Sequence, residues 1–275
     1  MMFNRIARRS QRDDRFPQSA RHLLVGLALL AGCQAVPEEG DDLWRPRALT
    51  GDATELPDGR EVISRMTEFL RGHDQLVFEA LASYEAVQES GQKYHFDMLQ
   101  RMAVRWPDRL FWVTLHDDAT TDSAWFDRGD FTLLKQPANV WGQVDLPPTI
   151  PEGVDRLVNE YDLDVPFSDM LASDRIGLWL GEDILALEYV GEAWVEGFWT
   201  DHIALRKPGV DMEIWVRQGD EPFPMRVHII YTEDDGAPAF SARFLKWATS
   251  LPEGALPEFS PPPGAERVEV VPLHY

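Results

Sequence analysis

The chain has 275 residues, a formal net charge of −21 at pH 7 and a single cysteine. A surface this acidic repels phosphate backbones, so nucleic acid is excluded as an expected partner. One cysteine cannot form an intramolecular disulfide, so the fold must depend on a hydrophobic core, for which the chain is long enough.

The N-terminal residues have the pattern of a secretory signal. Six arginines precede the apolar run 23–30, after which Ala31 and Gly32 lead into Cys33. A basic segment, an apolar segment and small residues at a cleavage site define such a signal. The ending Leu-Ala-Gly-Cys resembles the lipobox of bacterial lipoproteins, which implies removal of residues 1–32 and attachment of lipid to Cys33. The alternatives are an ordinary signal peptide with a chance cysteine, or a short membrane anchor, although an anchor needs about 20 apolar residues.

The lipobox resemblance implies attachment to a membrane through lipid on Cys33. Cleavage would leave 20 basic and 45 acidic residues, a net charge of −25, so the protein surface itself would not attract anionic lipids. In enterobacterial-type lipoproteins an Asp after the lipidated cysteine favours the inner membrane, so Gln34 indicates the outer membrane, facing the periplasm. Residues 33–57 are acidic and contain three prolines, Pro37, Pro46 and Pro57. They predict a flexible tether that would reach at most about 80 Å when fully extended.

Residues 58–275 are predicted to form one domain that begins with a helix over 58–72. Val62, Met66, Phe69 and Leu70 make one apolar stripe at helical spacing. Alternating segments joined by short turns then predict antiparallel strands. They span 78–87, 94–105, 110–115, 124–126, 131–134, 140–144, 210–217, 223–231 and 240–245. A helical insert is predicted over 150–181, with helices at 151–161, 166–171 and 176–180.

The predicted fold class is therefore mainly β, with a curved antiparallel sheet of about ten or eleven strands. An open sheet needs a cover over one apolar face, and the N-terminal helix and the mid-chain insert can supply it. The chain contains 10 Trp, 14 Phe and 8 Met, side chains that adapt well to apolar pockets. Candidate lining residues are Phe96, Met98, Trp112, Trp125, Trp141, Met212, Ile214, Val227 and Ile229. The alternative is that these residues simply fill a large core.

A series of collinear motifs resembles a family of predicted bacterial periplasmic proteins, domain of unknown function 2092. They include 91–96 (GQKYHF), 105–110 (RWPDRL), 125–127 (WFD), 165–171 (VPFSDML), 210–215 (VDMEIW) and 259–265 (FSPPPGA). The family has no assigned activity. The resemblance implies a fold similar to the lipoprotein-localisation carriers (LolA-like). That fold is an unclosed half-barrel whose concave face is covered by helices and can hold acyl chains, although a fold alone does not establish a function.

Signals for catalysis or metal binding are weak. The seven histidines never occur as H-x-x-x-H or H-x-H, and no nucleophile elbow or phosphate-binding glycine loop is present. Two segments, 116–118 and 201–202, place histidine beside aspartate, but adjacent strand residues point to opposite faces. We expect both to be solvated loop residues, and the acidic runs 117–118 and 233–236 to be hairpin turns, with weak calcium binding as an alternative. The sequence thus predicts no enzyme, cofactor or metal.

Two functions follow from these patterns. One is an envelope lipoprotein that binds or carries a lipid or another apolar ligand in the half-barrel. The alternative is a non-catalytic envelope scaffold that has a filled core and a protein partner that the sequence does not identify. A cavity of several hundred Å³ would favour the first function.

Overall fold

The computed structural model describes residues 57–171 and 183–272, and it contains three helices and twelve strands in that part of the chain. The predicted signal (1–32), Cys33, most of the predicted tether (33–56) and the predicted helix 176–180 lie outside the described residues. The helices are α1 (Gly59–Arg71), α2 (Ile150–Tyr161) and α3 (Ser168–Leu171). The strands are β1 (Gln75–Val87), β2 (Lys93–Arg105), β3 (Arg109–His116), β4 (Thr121–Asp127), β5 (Asp130–Gln136), β6 (Val140–Asp145), β7 (Ala186–Val195), β8 (Phe198–Lys207), β9 (Val210–Arg217), β10 (Pro224–Tyr231), β11 (Ala239–Ala248) and β12 (Glu266–Arg267).

All twelve strands belong to one sheet, in the order β12-β6-β5-β4-β3-β2-β1-β11-β10-β9-β8-β7. Every pair is antiparallel except β12 with β6, which is parallel and only two residues long. The order starts at β12 and ends at β7, so the described sheet is an unclosed half-barrel. The predicted fold class is confirmed, with eleven antiparallel strands and one short parallel addition.

Strands β7 and β8 were not among the segments that alternation predicted. The register of β7 with β8 shifts between Tyr189 and Gly191, which marks a β-bulge. A bulge places two residues of one strand opposite one residue of its partner. Exposed and half-buried positions nevertheless alternate along the whole of β7.

Helix α1 has the stripe that the sequence predicts. Its N-terminus is capped by Asp58, whose side chain accepts a hydrogen bond from the backbone N–H of Arg60 at 2.9 Å. Val62, Met66 and Leu70 are buried, as is Ile63 beside them. The helix packs on β7 and β9, so it covers one end of the sheet.

Helix α2 covers the other end of the sheet. Pro151 stands in its first turn, where its missing N–H costs nothing. The backbone N–H of Ile150 donates to the carbonyl of Pro107 at 2.7 Å, which ties the helix to the β2–β3 turn. Gly153 faces Phe126 of β4 so closely that a Cβ there would overlap the ring. The helix and the strand are in contact because this position has no side chain.

Candidate functional site: the covered face of the half-barrel

One face of the sheet packs under the three helices, and we call it the covered face. Six of the nine predicted lining residues lie on it, all buried in one continuous core. They are Met98, Trp112, Met212, Ile214, Val227 and Ile229. Strand register explains the grouping, since Met212 lies opposite Ile229 and Ile214 lies opposite Val227. Residues two apart on neighbouring antiparallel strands thus form one continuous apolar surface.

A seventh predicted residue, Phe96, lies at the end of this face. It is half-buried and pairs with Tyr84 of β1, with ring centroids 5.3 Å apart. Burial, and after it the nearby carboxylates of Asp117 and Asp164, raises the pKa of the Tyr84 hydroxyl. Phe96 and Tyr84 therefore form a partly open aromatic margin of the covered face.

The other two predicted residues, Trp125 and Trp141, do not lie on the covered face, so the prediction that they line it is wrong. In β4 the two neighbours of Trp125, Ala124 and Phe126, are the core residues, and Trp125 points to the opposite side of the sheet. There both indoles pack on Phe259, with centroids 4.9 and 5.1 Å away. The backbone N–H of Val268 donates to the carbonyl of Trp141 at 2.8 Å. The C-terminal segment (residues 249–272) therefore covers these two tryptophans.

Phe167 fills the middle of the covered face. It lies between α2 and α3 and packs on Phe78, Phe244 and Phe240, with centroids 5.0, 5.4 and 6.4 Å away. The residue is buried, yet its φ of +51° lies in the left-handed region, which disfavours side chains with a Cβ. The segment 166–171, which contains Phe167, was predicted as a short helix. Nothing in the local pattern indicates that Phe167 would contact three strand residues far away in sequence.

A buried carboxylate joins helix α1 to the sheet. Asp201 of β8 accepts hydrogen bonds from Nη2 of Arg65 at 3.2 Å, from the hydroxyl of Tyr189 at 3.2 Å and from Nε2 of Gln218 at 2.9 Å. The same amide nitrogen also donates to Glu192 at 2.7 Å. Three donors compensate the cost of burying this charge.

The environment of Asp201 also affects Tyr189. Burial, and after it the Asp201 carboxylate, raises the pKa of Tyr189 to about 12. The expectation that residues 201–202 form a solvated loop is wrong, since both lie within β8 and Asp201 is buried. His202 points to the other face, where it stacks on Trp215 at 4.2 Å and contacts Glu213 at 2.9 Å. The two side chains do not meet, as the alternation of a strand requires.

The remaining expectations on polar residues concern the turns. Asp117 and Asp118 follow β3 in a turn, and residues 232–236 form the turn between β10 and β11, so both predicted hairpin turns are confirmed.

Within 57–171 and 183–272, no group of three His, Cys, Asp or Glu side chains is arranged to hold a metal ion. None of the helices that the structure describes is long and apolar enough to span a bilayer.

Comparison with known protein families identifies the class of this chain. A family model described as predicted periplasmic protein (DUF2092) matches residues 59–271, so the chain belongs to that family. A comparison with curated proteins gave no match.

Several solved structures have a similar chain trace at low sequence identity. An uncharacterised conserved protein from Thermus thermophilus is 12% identical, with 76% of this chain and 98% of that chain covered and a TM-score of 0.43. The lipoprotein LppX from Mycobacterium tuberculosis is 11% identical, with 71% and 99% covered and a TM-score of 0.42. LprF from Mycobacterium bovis is 9% identical, with 77% and 100% covered and a TM-score of 0.44.

Proposed function

We propose that this protein is an envelope lipoprotein, anchored through Cys33, that binds a lipid or another apolar ligand between the covered face and its helices. The observation that carries the proposal is the position of Phe167. A single aromatic side chain from the helical cover, held at a left-handed φ, occupies the centre of an otherwise continuous apolar sheet face. An acyl chain that replaced Phe167 would meet the same aromatic partners.

An acyl chain would offset part of the free-energy cost of such an exchange. A left-handed conformation costs a residue with a Cβ about 1–2 kcal/mol, and that cost is recovered if the Phe167 segment moves out. Each buried CH₂ group contributes about 0.8 kcal/mol, so part of an acyl chain offsets the loss of the Phe167 contacts. The cover consists of short helices, and α3 has only four residues. It can therefore be displaced without breaking the strand pairs of the sheet.

The first part of the proposal to test is the location of the protein in the cell envelope. Membership of a family described as periplasmic and the Leu-Ala-Gly-Cys33 motif both support anchorage in the envelope, on the outer membrane in particular because Gln34 follows the cysteine. Cells expressing the protein are labelled with a radioactive fatty acid and fractionated. The protein should carry label and sediment with outer membranes, and Cys33→Ala should lose both properties. An unlabelled protein with Cys33 intact would overturn the anchor.

Ligand binding is tested with unlipidated Cys33→Ala protein. It is extracted for mass spectrometry and titrated with a fluorescent fatty acid, alone and with Phe167→Ala. We expect saturable binding that becomes several-fold tighter in Phe167→Ala, because that change leaves an apolar space under the helices. Phe259→Ala is the matched control, since it removes an equal ring from the opposite face and should leave the affinity unchanged. No co-purifying lipid and no saturable binding in either protein would overturn the proposal.

The scaffold function is the second candidate, and one observation favours it. The six predicted lining residues on the covered face are each 8% exposed or less, so this face is filled as it stands. A filled core needs no ligand and could present the outer surface to a protein partner. If Phe167→Ala binds no fatty acid although it remains folded, the scaffold explains the structure better.

A further inference from the structure

Exposed apolar side chains concentrate at one end of the sheet. Leu185, Val190, Trp194 and Phe198 are 67%, 52%, 52% and 38% exposed, and all lie within 14 consecutive residues. They belong to β7, which ends the sheet, or to the residues that flank it. We call this group the β7 edge. Large apolar side chains that gather on one surface usually mark a place of contact.

The β7 edge has the composition of a membrane-interface surface. Trp194 and Trp199 meet at a steep angle across the β7–β8 hairpin, with centroids 5.2 Å apart. The guanidinium of Arg217 lies 4.2 Å from the centre of the Phe198 ring. These rings and Arg217 border an open groove of ≈ 450 Å³. Tryptophan, other aromatic rings and arginine together are typical of proteins at the level of lipid head groups.

The described part of the chain begins beside the same strand. The described residues begin at Pro57, directly before α1. The first residue of that helix, Gly59, lies against Leu187 of β7 and Ile203 of β8, so closely that a Cβ would be 2.6 Å from Leu187. Cys33 precedes Pro57 by 24 residues. A lipid on Cys33 would therefore keep the β7 edge within reach of the bilayer, at most about 80 Å from the anchor when the tether is fully extended.

We infer that the β7 edge rests on the surface of a zwitterionic bilayer, with Trp194 and Phe198 at the level of the head groups. This inference depends on the anchor of the proposed function. Glu188, Glu192 and Glu196 stand between the apolar residues along this edge. Their charge disfavours anionic lipids, and it equally disfavours the pairing of this edge with a second copy of itself.

Weak contacts between the β7 edge and the bilayer are sufficient to orient a protein that is already tethered. A flexible tether gives the attached surface an effective concentration near the millimolar range, so the edge needs only a marginal affinity of its own. The edge would thereby fix the orientation of the half-barrel, rather than hold the protein on the membrane.

Vesicle binding by the unlipidated Cys33→Ala protein tests the inference independently of lipidation. The protein is mixed with phosphatidylcholine vesicles at millimolar lipid and separated by flotation. We expect a fraction to float, and Trp194→Ser/Phe198→Ser to lower that fraction at least three-fold. Tyr94→Ser/Leu245→Ser is the matched control, because these side chains are 44% and 38% exposed elsewhere on the sheet and should not change flotation. Adding phosphatidylglycerol should reduce the floating fraction. Equal flotation of the two double variants would overturn the inference.

A second measurement detects contact between the β7 edge and lipid by fluorescence quenching. Lipids brominated near the head group should quench the fluorescence of the Cys33→Ala protein, and Trp194→Phe should remove part of that quenching while it keeps an aromatic ring. Quenching that Trp194→Phe leaves unchanged contradicts the proposed contact. A change in oligomeric state on size-exclusion chromatography, without any change in flotation, would assign the edge to protein contact instead. Failure of fatty-acid labelling would remove the anchor but leave both vesicle results valid.

Discussion

Arg65 of helix α1 donates a hydrogen bond to Asp201 of β8, at 3.2 Å between Nη2 and Oδ2. The two residues are 136 positions apart. Half of the Arg65 side chain is exposed, whereas the Asp201 side chain is almost completely buried. The pair is therefore asymmetric, since the carboxylate depends on its three donors and the guanidinium can also be solvated by water.

Replacement of Asp201 should cost more stability than replacement of Arg65. Asp201→Ala leaves the half-buried Tyr189 hydroxyl without its acceptor and removes one of the two acceptors of Gln218, and we expect a loss of about 2–3 kcal/mol. Arg65→Ala should cost at most about 1 kcal/mol, because a half-exposed partner contributes little. Urea unfolding of both variants measures the difference. Arg206→Ala, which removes an exposed partner of Asp211, is the control and should leave the midpoint unchanged. Equal losses for Asp201→Ala and Arg65→Ala would contradict the asymmetry.

The stability of the protein should fall at high pH because of Tyr189. Its pKa in the folded state is about 12, against about 10 for an unfolded chain. Between these values the unfolded state releases a proton that the folded state retains, so the free energy of unfolding decreases as the pH rises. The contribution of Tyr189 is complete below pH 10 and is lost toward pH 12.

The comparison variant for this effect is Tyr189→Phe, which has no phenolic proton. Urea midpoints measured from about pH 9 to about pH 11.5 should fall more steeply for the original protein than for Tyr189→Phe. The effect of Tyr84, whose pKa is also raised, is common to both proteins and cancels in the comparison. Parallel pH profiles would show that Tyr189 does not titrate as its burial predicts.

Substitution of the two helical glycines should have unequal effects. Alanine normally stabilises a helix by about 1 kcal/mol relative to glycine. At Gly153 the new methyl group would overlap the Phe126 ring, which is buried and closely packed, so Gly153→Ala should instead destabilise by about 1–3 kcal/mol. At Gly59 the neighbouring atom is the end of the half-buried, flexible Leu187 side chain, so Gly59→Ala should cost less. Thermal unfolding of the two variants measures this order, and the reverse order would show that α2 can shift on the sheet.

The C-terminal segment should stabilise the sheet from the side opposite the helices. Phe259→Ala removes two ring contacts and should cost about 1–2 kcal/mol, since each aromatic pair contributes about 0.5–1.5 kcal/mol. Tryptophan fluorescence should shift to the red as Trp125 and Trp141 gain access to water. Ser260→Ala, at the next and exposed position, is the control and should change neither property. A fluorescence maximum that does not move would mean that the segment does not cover these indoles.

Local patterns in the sequence were sufficient to predict most of the secondary structure. Helix α1 follows from Val62, Met66 and Leu70 at helical spacing, and most antiparallel strands follow from alternation and short turns. Alternation depends only on the backbone geometry of consecutive residues, so it is visible without knowledge of the fold. It did not predict β7 and β8, which pair across a bulge after Tyr189.

The tertiary structure alone decided which surface each side chain meets. Alternation separates Trp125 from Phe126, but each face of β4 carries one large aromatic ring. Only the contact with the distant Phe259 shows that a second layer covers Trp125. The ring of Phe167 contacts strands β1 and β11, and the donors to Asp201 come from three separate elements. The sequence by itself thus determined the helices and most of the antiparallel strands, because their formation depends on interactions between nearby residues. The core-filling position of Phe167 and the buried Asp201 network depend on contacts between residues far apart in the chain, which no local periodicity records.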